Sequence, residues 1–172
     1  MIRTVLASLV AAAAFTGCAT FTDADAIARV DDAELSQDLL DDLTTIFGPD
    51  AQSPVGTGTS ADAARNLITQ WLQVSIVDGH LDEIGVDISD EARAEALATI
   101  DGDPSLDQVS EGARAYLLDA QAAIVTFNQL PDPQASFESA LADADIHVDA
   151  RYGFFDPQFG LLPLGLGLEP GF

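Results

Sequence analysis

A chain of 172 residues has room for one ordinary domain and its core, and little besides. It carries 29 carboxylates against six basic residues, all of them Arg, for a net charge of −23. Such a surface repels phosphate backbones and anionic lipid, which argues against nucleic acid as a partner; the attraction it permits is for basic or unfolded polypeptides, and a salty medium would relieve its self-repulsion.

The first residues are a different material from the rest. MIRTVLASLVAAAAFTGC places Arg3 before an apolar run from Val5 to Phe15, followed by small residues and Cys18. The run is shorter than the roughly 20 apolar residues that a membrane-spanning helix needs, so it reads as an export signal. FTGC at 15–18 resembles the bacterial lipoprotein signal, with Phe15 where Leu is commoner. In that signal cleavage leaves the Cys at the new N-terminus with lipid on its sulfur, so acyl chains such as palmitate would hold Cys18 at a membrane face, at about 0.8 kcal/mol per buried CH₂. Cys18 is the only Cys, which rules out an intramolecular disulfide and gives an exported protein's single thiol a reason to exist. An ordinary signal peptide with an incidental Cys is the other reading. The expected organisation is a signal over 1–17, a tether over 18–25, one helical domain over 26–160 and an apolar Pro/Gly-rich tail over 161–172.

Along the body, Ala26–Val30 reads as a strand, followed by a turn at Asp31–Asp32. Ser36 is placed to cap a short helix, with Asp38 in its first turn and Leu39, Leu40, Leu43, Ile46 and Phe47 on its apolar side until Gly48–Pro49 stops it. Residues 48–59, GPDAQSPVGTGT, have loop chemistry throughout, and lack the Lys and spacing of a phosphate-binding loop.

The spacing then predicts a long helix from Ser60 to Gly85. Ala64, Leu67, Ile68, Trp71, Leu72, Ser75 and Leu81 form its stripe, and Trp71, the only Trp, is a packing centre or, in the other reading, a stacking surface for a ligand. Ser89 caps a further helix through Ile100, with Ala92, Ala96, Leu97 and Ile100 turned inward. Asp101–Pro104 ends that helix as a turn, without the oxygen ligands at fixed spacing that a calcium loop requires. Ser110 opens a second long helix to Leu130, striped by Ala113, Tyr116, Leu117, Ala120, Ile124, Phe127 and Leu130. The two long helices are expected to be neighbours, with Ala113, Ala120 and Ala123 allowing close approach. Asp132–Pro133 starts a short last helix carrying Phe137, Ala140 and Leu141. Ile146 and Val148 alternate with His147 and Asp149 as a strand that would pair with residues 26–30 and close the domain. The final FGLLPLGLGLEPGF fits either an extended segment packed in a groove or an exposed one. The expected fold is therefore mainly α, with two long packed helices, shorter helices and a small pairing of N- and C-terminal strands.

Chemistry is sparse in the sequence. His80 and His147 are far apart, no HExxH or paired CxxC is present, and nothing like GxSxG surrounds any Ser, so no catalytic residue, metal or cofactor is assigned. With 29 acids, a pair of carboxylates can be drawn almost anywhere and carries no information.

Three stretches resemble one family. IARVDDAELS at 27–36, RNLITQWLQVSIVDGHLDEIGVDISDE at 65–91 and IHVDARYGFFDPQFG at 146–160 look like the SurA N-terminal-type chaperone domain, in particular its lipoprotein members. Val30, Asp31, Asp32, Leu35 and Ser36 occupy a V-N-G-x-x-I-S pattern, with Asp32 where Gly is usual. Gly85–Glu91 matches the segment after the long helix, and Arg151, Tyr152 and Gly153 match an R-Y-G closing segment, with Ala150 and Phe154 or Phe155 departing from the usual neighbours.

The resemblance implies a helical body with paired terminal strands and a groove for non-native polypeptides. Relatives of the SurA and PrsA kind often carry a parvulin-type prolyl isomerase domain before the closing strand, and the short stretch between Leu130 and Ile146 leaves no room for one. The expectation is a non-enzymatic, membrane-anchored, extracytoplasmic chaperone-like protein. Trp71, Tyr116, Phe127, Phe154 and Phe155 are its candidate peptide-binding residues, and Cys18 is its anchor. A structural lipoprotein of the cell envelope with one specific protein partner is the alternative, and a small enzyme a weaker third.

Overall fold

The computed structural model describes residues 26–47, 60–101, 104–158 and 160–163. The expected signal and tether with Cys18, residues 48–59 and 102–103, Phe159 and the expected tail from residue 164 lie outside the described residues. Five α-helices carry most of the described chain, with two small antiparallel sheets beside them.

The long helix, α2 (Ser60–Glu83), is the element that the others cover. Its stripe of Leu67, Ile68, Trp71, Leu72, Ile76, Val77 and Leu81 is buried, while Ala64 and Ser75 are half-buried at its margins. Gly85, at φ +68, follows it as the left-handed stop that the sequence suggests. Near its start, buried Asp62 pairs with Arg65 one turn on, an ion pair with no hydrophobic signature to announce it.

β1 (Ala26–Val30) is the middle strand of a three-stranded sheet, flanked by β2 (Ala33–Ser36) and β3 (Ile146–Val148). β1 has a hydrogen-bonded neighbour on each edge, and Ala26, Ile27, Ala28 and Val30, which point to both of its faces, are all buried. The pairing of β1 with β3 sets Ala28 opposite Val148 and Val30 opposite Ile146, so the expected closure of the domain is present. Asp31 extends it: its amide donates to the Asp145 carbonyl and its carboxylate accepts the Asp145 amide, each at 3.0 Å. Asp31 has φ 51, so the left-handed residue of this turn is Asp31, one position before the place where the resembling family has Gly. β2 is an addition to the sequence reading, since AELS forms a strand before Ser36 accepts the Leu39 amide at 3.2 Å and starts α1 (Gln37–Phe47).

α3 (Asp90–Ile100), α4 (Glu111–Phe127) and α5 (Pro133–Asp143) begin at Ser89, Ser110 and Asp132, whose side chains accept the amides of Ala92, Ala113 and Ala135. α4 lies against α2 as expected, α5 also packs on α2, and α3 lies chiefly on α4. α3 makes that contact through Ala92 and Ala96, both buried. Leu97 is a correction to the sequence reading: it is 52% exposed, because one residue beyond Ala96 is about 100° around the helix and no further element covers that side.

A second hairpin, β4 (Phe154–Asp156) and β5 (Gly160–Leu162), uses a stretch given no strands from sequence. The first residues of the expected tail, Leu161 and Leu162, are buried in it, and the Leu161 amide donates to Thr69 Oγ1 on α2 at 3.0 Å. This hairpin requires glycine at Gly153, which has φ +124 and where a Cβ would sit 1.9 Å from the Leu162 carbonyl oxygen. Gly153→Ala is expected to lose at least about 2 kcal/mol of unfolding free energy. Gly79→Ala, mid-helix with nothing within 4 Å of the added methyl, is expected to gain about 0.5–1 kcal/mol. Urea denaturation of the two variants checks both signs.

Candidate functional site

An opening lies on the outer layer, between α3, the 3₁₀ turn Pro104–Gln108 and the start of α4. It encloses about 550 Å³. Leu97, Ile100, Leu106, Ala115 and Leu118 give it an apolar lining, and Asp101, Asp107, Glu111 and Arg114 give it a charged rim.

Local chemistry holds this cavity open. Ala92 and Ala96 bring the α3 backbone close to α4 at one end, but the larger Leu97 and Ile100 are not interleaved with α4 at the other. The 3₁₀ turn is fastened from both sides. Leu106 is buried, the turn packs against α1, and Arg114 donates to the Leu106 carbonyl at 2.7 Å and to Asp107 at 3.0 Å. The start of α4 is fixed in turn, because the Ser110 hydroxyl donates to Asp42 on α1 at 2.5 Å. The turn is thus tied to α1 on one side and to Arg114 of α4 on the other.

The residues singled out from sequence do not share this cavity. Trp71 and Tyr116 meet in a smaller cleft of about 180 Å³ between α1, α2 and α4. Trp71 is only 4% exposed, so the stripe on α2 is covered by the protein's own helices, and what remains open is a rim formed by Phe47 and Ile124. Phe127 is buried in a separate cluster with Val77, Leu81 and Ala123, edge-on to His80 with ring centroids 6.2 Å apart. Phe154 is exposed on β4, and Phe155 packs against the main core. Cys18 lies outside the described residues.

The two histidines are held apart. His147 Nε2 lies 3.0 Å from Asp145 at the sheet edge. His80 lines a cavity of about 300 Å³ with Asp31, Glu83 and Asp143, and its Nδ1 is 3.8 Å from Glu83, too far for a hydrogen bond. Among the described residues, no Ser, Thr or Cys lines that cavity. Among the described residues, no group of three or more His, Cys, Asp or Glu is placed to hold a metal ion, and no helix is long and apolar enough to cross a membrane.

Electrostatics sharpen the difference between the inner cleft and the outer cavity. All five Arg among the described residues pair with an aspartate: Arg29 with Asp145, Arg65 with Asp62, Arg93 with Asp119, Arg114 with Asp107 and Arg151 with Asp149. Carboxylates far outnumber these Arg, so like charges come close to one another. Asp78 on α2 shows the effect, its carboxyl pushed up by desolvation and then by Asp82 and Asp119. Burial, with Asp78 second, also holds the Tyr116 phenol well above its ordinary range.

Family models, curated proteins and solved structures were all compared with the chain, and none matches.

A raised carboxyl pKa means that the folded state binds its proton more tightly than the unfolded state, so the charged form at neutral pH opposes folding. Asp78→Asn is expected to raise the thermal midpoint at pH 7. The gain should shrink as the pH falls through the folded pKa toward the ordinary Asp value of 3.8, as wild-type Asp78 becomes protonated too. Thermal unfolding of both proteins across that pH range checks the sign.

Proposed function

We propose that this protein is a lipid-anchored, extracytoplasmic binder of non-native or extended polypeptides that works by holding them, without prolyl isomerase chemistry. The observation that carries this reading is the open apolar cavity of about 550 Å³ between α3 and α4, with Leu97 half in solvent at its mouth. An exposed aliphatic lining with a charged rim can take up apolar side chains of many sequences while the rim keeps the complex in solution. The mainly helical body with strands from both chain ends paired in one sheet is in keeping with the SurA N-terminal-type resemblance. The lipoprotein-like FTGC at 15–18 supports an anchor at Cys18. In this reading the binding surface is the outer cavity, and Trp71, Tyr116 and Phe127 serve the core that supports it.

The test is suppression of aggregation. The chain from Ala19 onward, mixed with an unfolding secreted enzyme, should reduce light scattering in proportion to its concentration. Leu97→Asp should abolish the effect with little change in thermal midpoint, because the side chain is already half exposed. Equal scattering with and without the wild-type protein would refute the reading.

A further inference from the structure

The rim of the α3–α4 cavity says which polypeptides it would prefer. Of its four charged residues, Arg114 and Asp107 neutralise each other at 3.0 Å. Asp101 and Glu111 stand exposed at the same mouth with no ion pair among the described residues. A ligand side chain seated on Leu97, Ile100 and Leu118 would therefore place its neighbours beside unneutralised negative charge.

The surrounding field has the same sign. The chain contains no Lys, and each Arg among the described residues is already engaged by an aspartate. No described cation is thus free to meet an acidic ligand, and 29 carboxylates against six Arg leave the potential negative over the body as a whole. The low-dielectric walls of a cavity concentrate that potential at its opening.

We infer that the α3–α4 cavity selects cationic amphipathic segments, in which an apolar side chain enters between Leu97 and Leu118 while Lys or Arg on either side meets Asp101 and Glu111. The inference rests on the polypeptide-binding reading above and adds charge selectivity to it. Acidic and neutral apolar segments are the ones it disfavours, so the protein discriminates among unfolded chains by the sign of the residues flanking an apolar anchor.

The experiment uses the full chain, expressed with its own export segment, and fluorescein-labelled peptides that share one set of Leu and Phe residues interleaved with Lys, Ser or Glu. Fluorescence anisotropy is read at about 50 mM and about 500 mM salt. The Lys peptide should bind about tenfold more tightly than the Ser peptide at low salt, the gap should close at high salt, and the Glu peptide should not bind. Leu97→Ser should weaken the Lys and Ser peptides alike. Asp101→Asn combined with Glu111→Gln should narrow the gap and leave the Ser peptide unchanged. Equal affinity for the Lys and Ser peptides, both sensitive to Leu97→Ser, would overturn the charge selectivity and leave polypeptide binding standing. Binding of the Lys peptide that ignores both sets of substitutions would mark diffuse attraction to an acidic body and overturn the assignment to this cavity. No binding of any peptide would remove both readings.

Discussion

Everything in this structure follows from the need to cover one face of α2. A 24-residue helix with seven large buried side chains along it is not a stable object in water, since each of those side chains gains roughly 1.5–3 kcal/mol only when something else excludes the solvent. α1, α4, α5 and strands from both sheets all pack on it. The clasp that brings the chain ends together serves the same purpose. Ile27 and Leu35, neither measurably exposed, reach the core around α2 only because β1 is held between β2 and β3, with Asp31 locked to Asp145 at the end of the ladder.

That allocation leaves an outer layer under less constraint. α3 rests chiefly on α4, through alanines, and so contributes little bulk to the interior. Small residues allow close backbone approach at one end of the pair, while Leu97, Ile100 and Leu118 at the other end line an opening beside the 3₁₀ turn that Arg114 holds. Apolar surface is available on this protein where α3 and α4 part, away from the aromatic residues that anchor the middle of the core. The acidic surface surrounds that opening, and with every described Arg already paired, its charge is not compensated locally.

Much of this was readable without coordinates where the signal was local and periodic. The α2 stripe, the caps at Ser36, Ser89, Ser110 and Asp132, the Gly85 stop, the adjacency of the two long helices and the pairing of 26–30 with 146–148 all depend on side-chain spacing or on capping chemistry that a few consecutive residues express. β2, β4 and β5 were not readable: three- and four-residue strands such as FFD and GLL are too short for alternation to register, and their ladders exist only because partners are supplied. The site was less legible than the fold. Aromatic residues attract notice in a sequence, but large rings are also what a core most needs, and Trp71 and Phe127 are buried in it.

The sequence by itself determined the helical body, the positions at which its helices begin and a strongly acidic surface, because periodicity, capping and charge are properties of neighbouring residues; it ran α4 on to Leu130, three residues past its end at Phe127. Only the tertiary structure decided which apolar residues stay in water. Leu97 and Leu72 are the same side chain, both on α-helices; one is 52% exposed and the other fully covered, and the difference lies in how many elements surround each helix. That number is set by contacts between residues far apart in the chain, which no local pattern records.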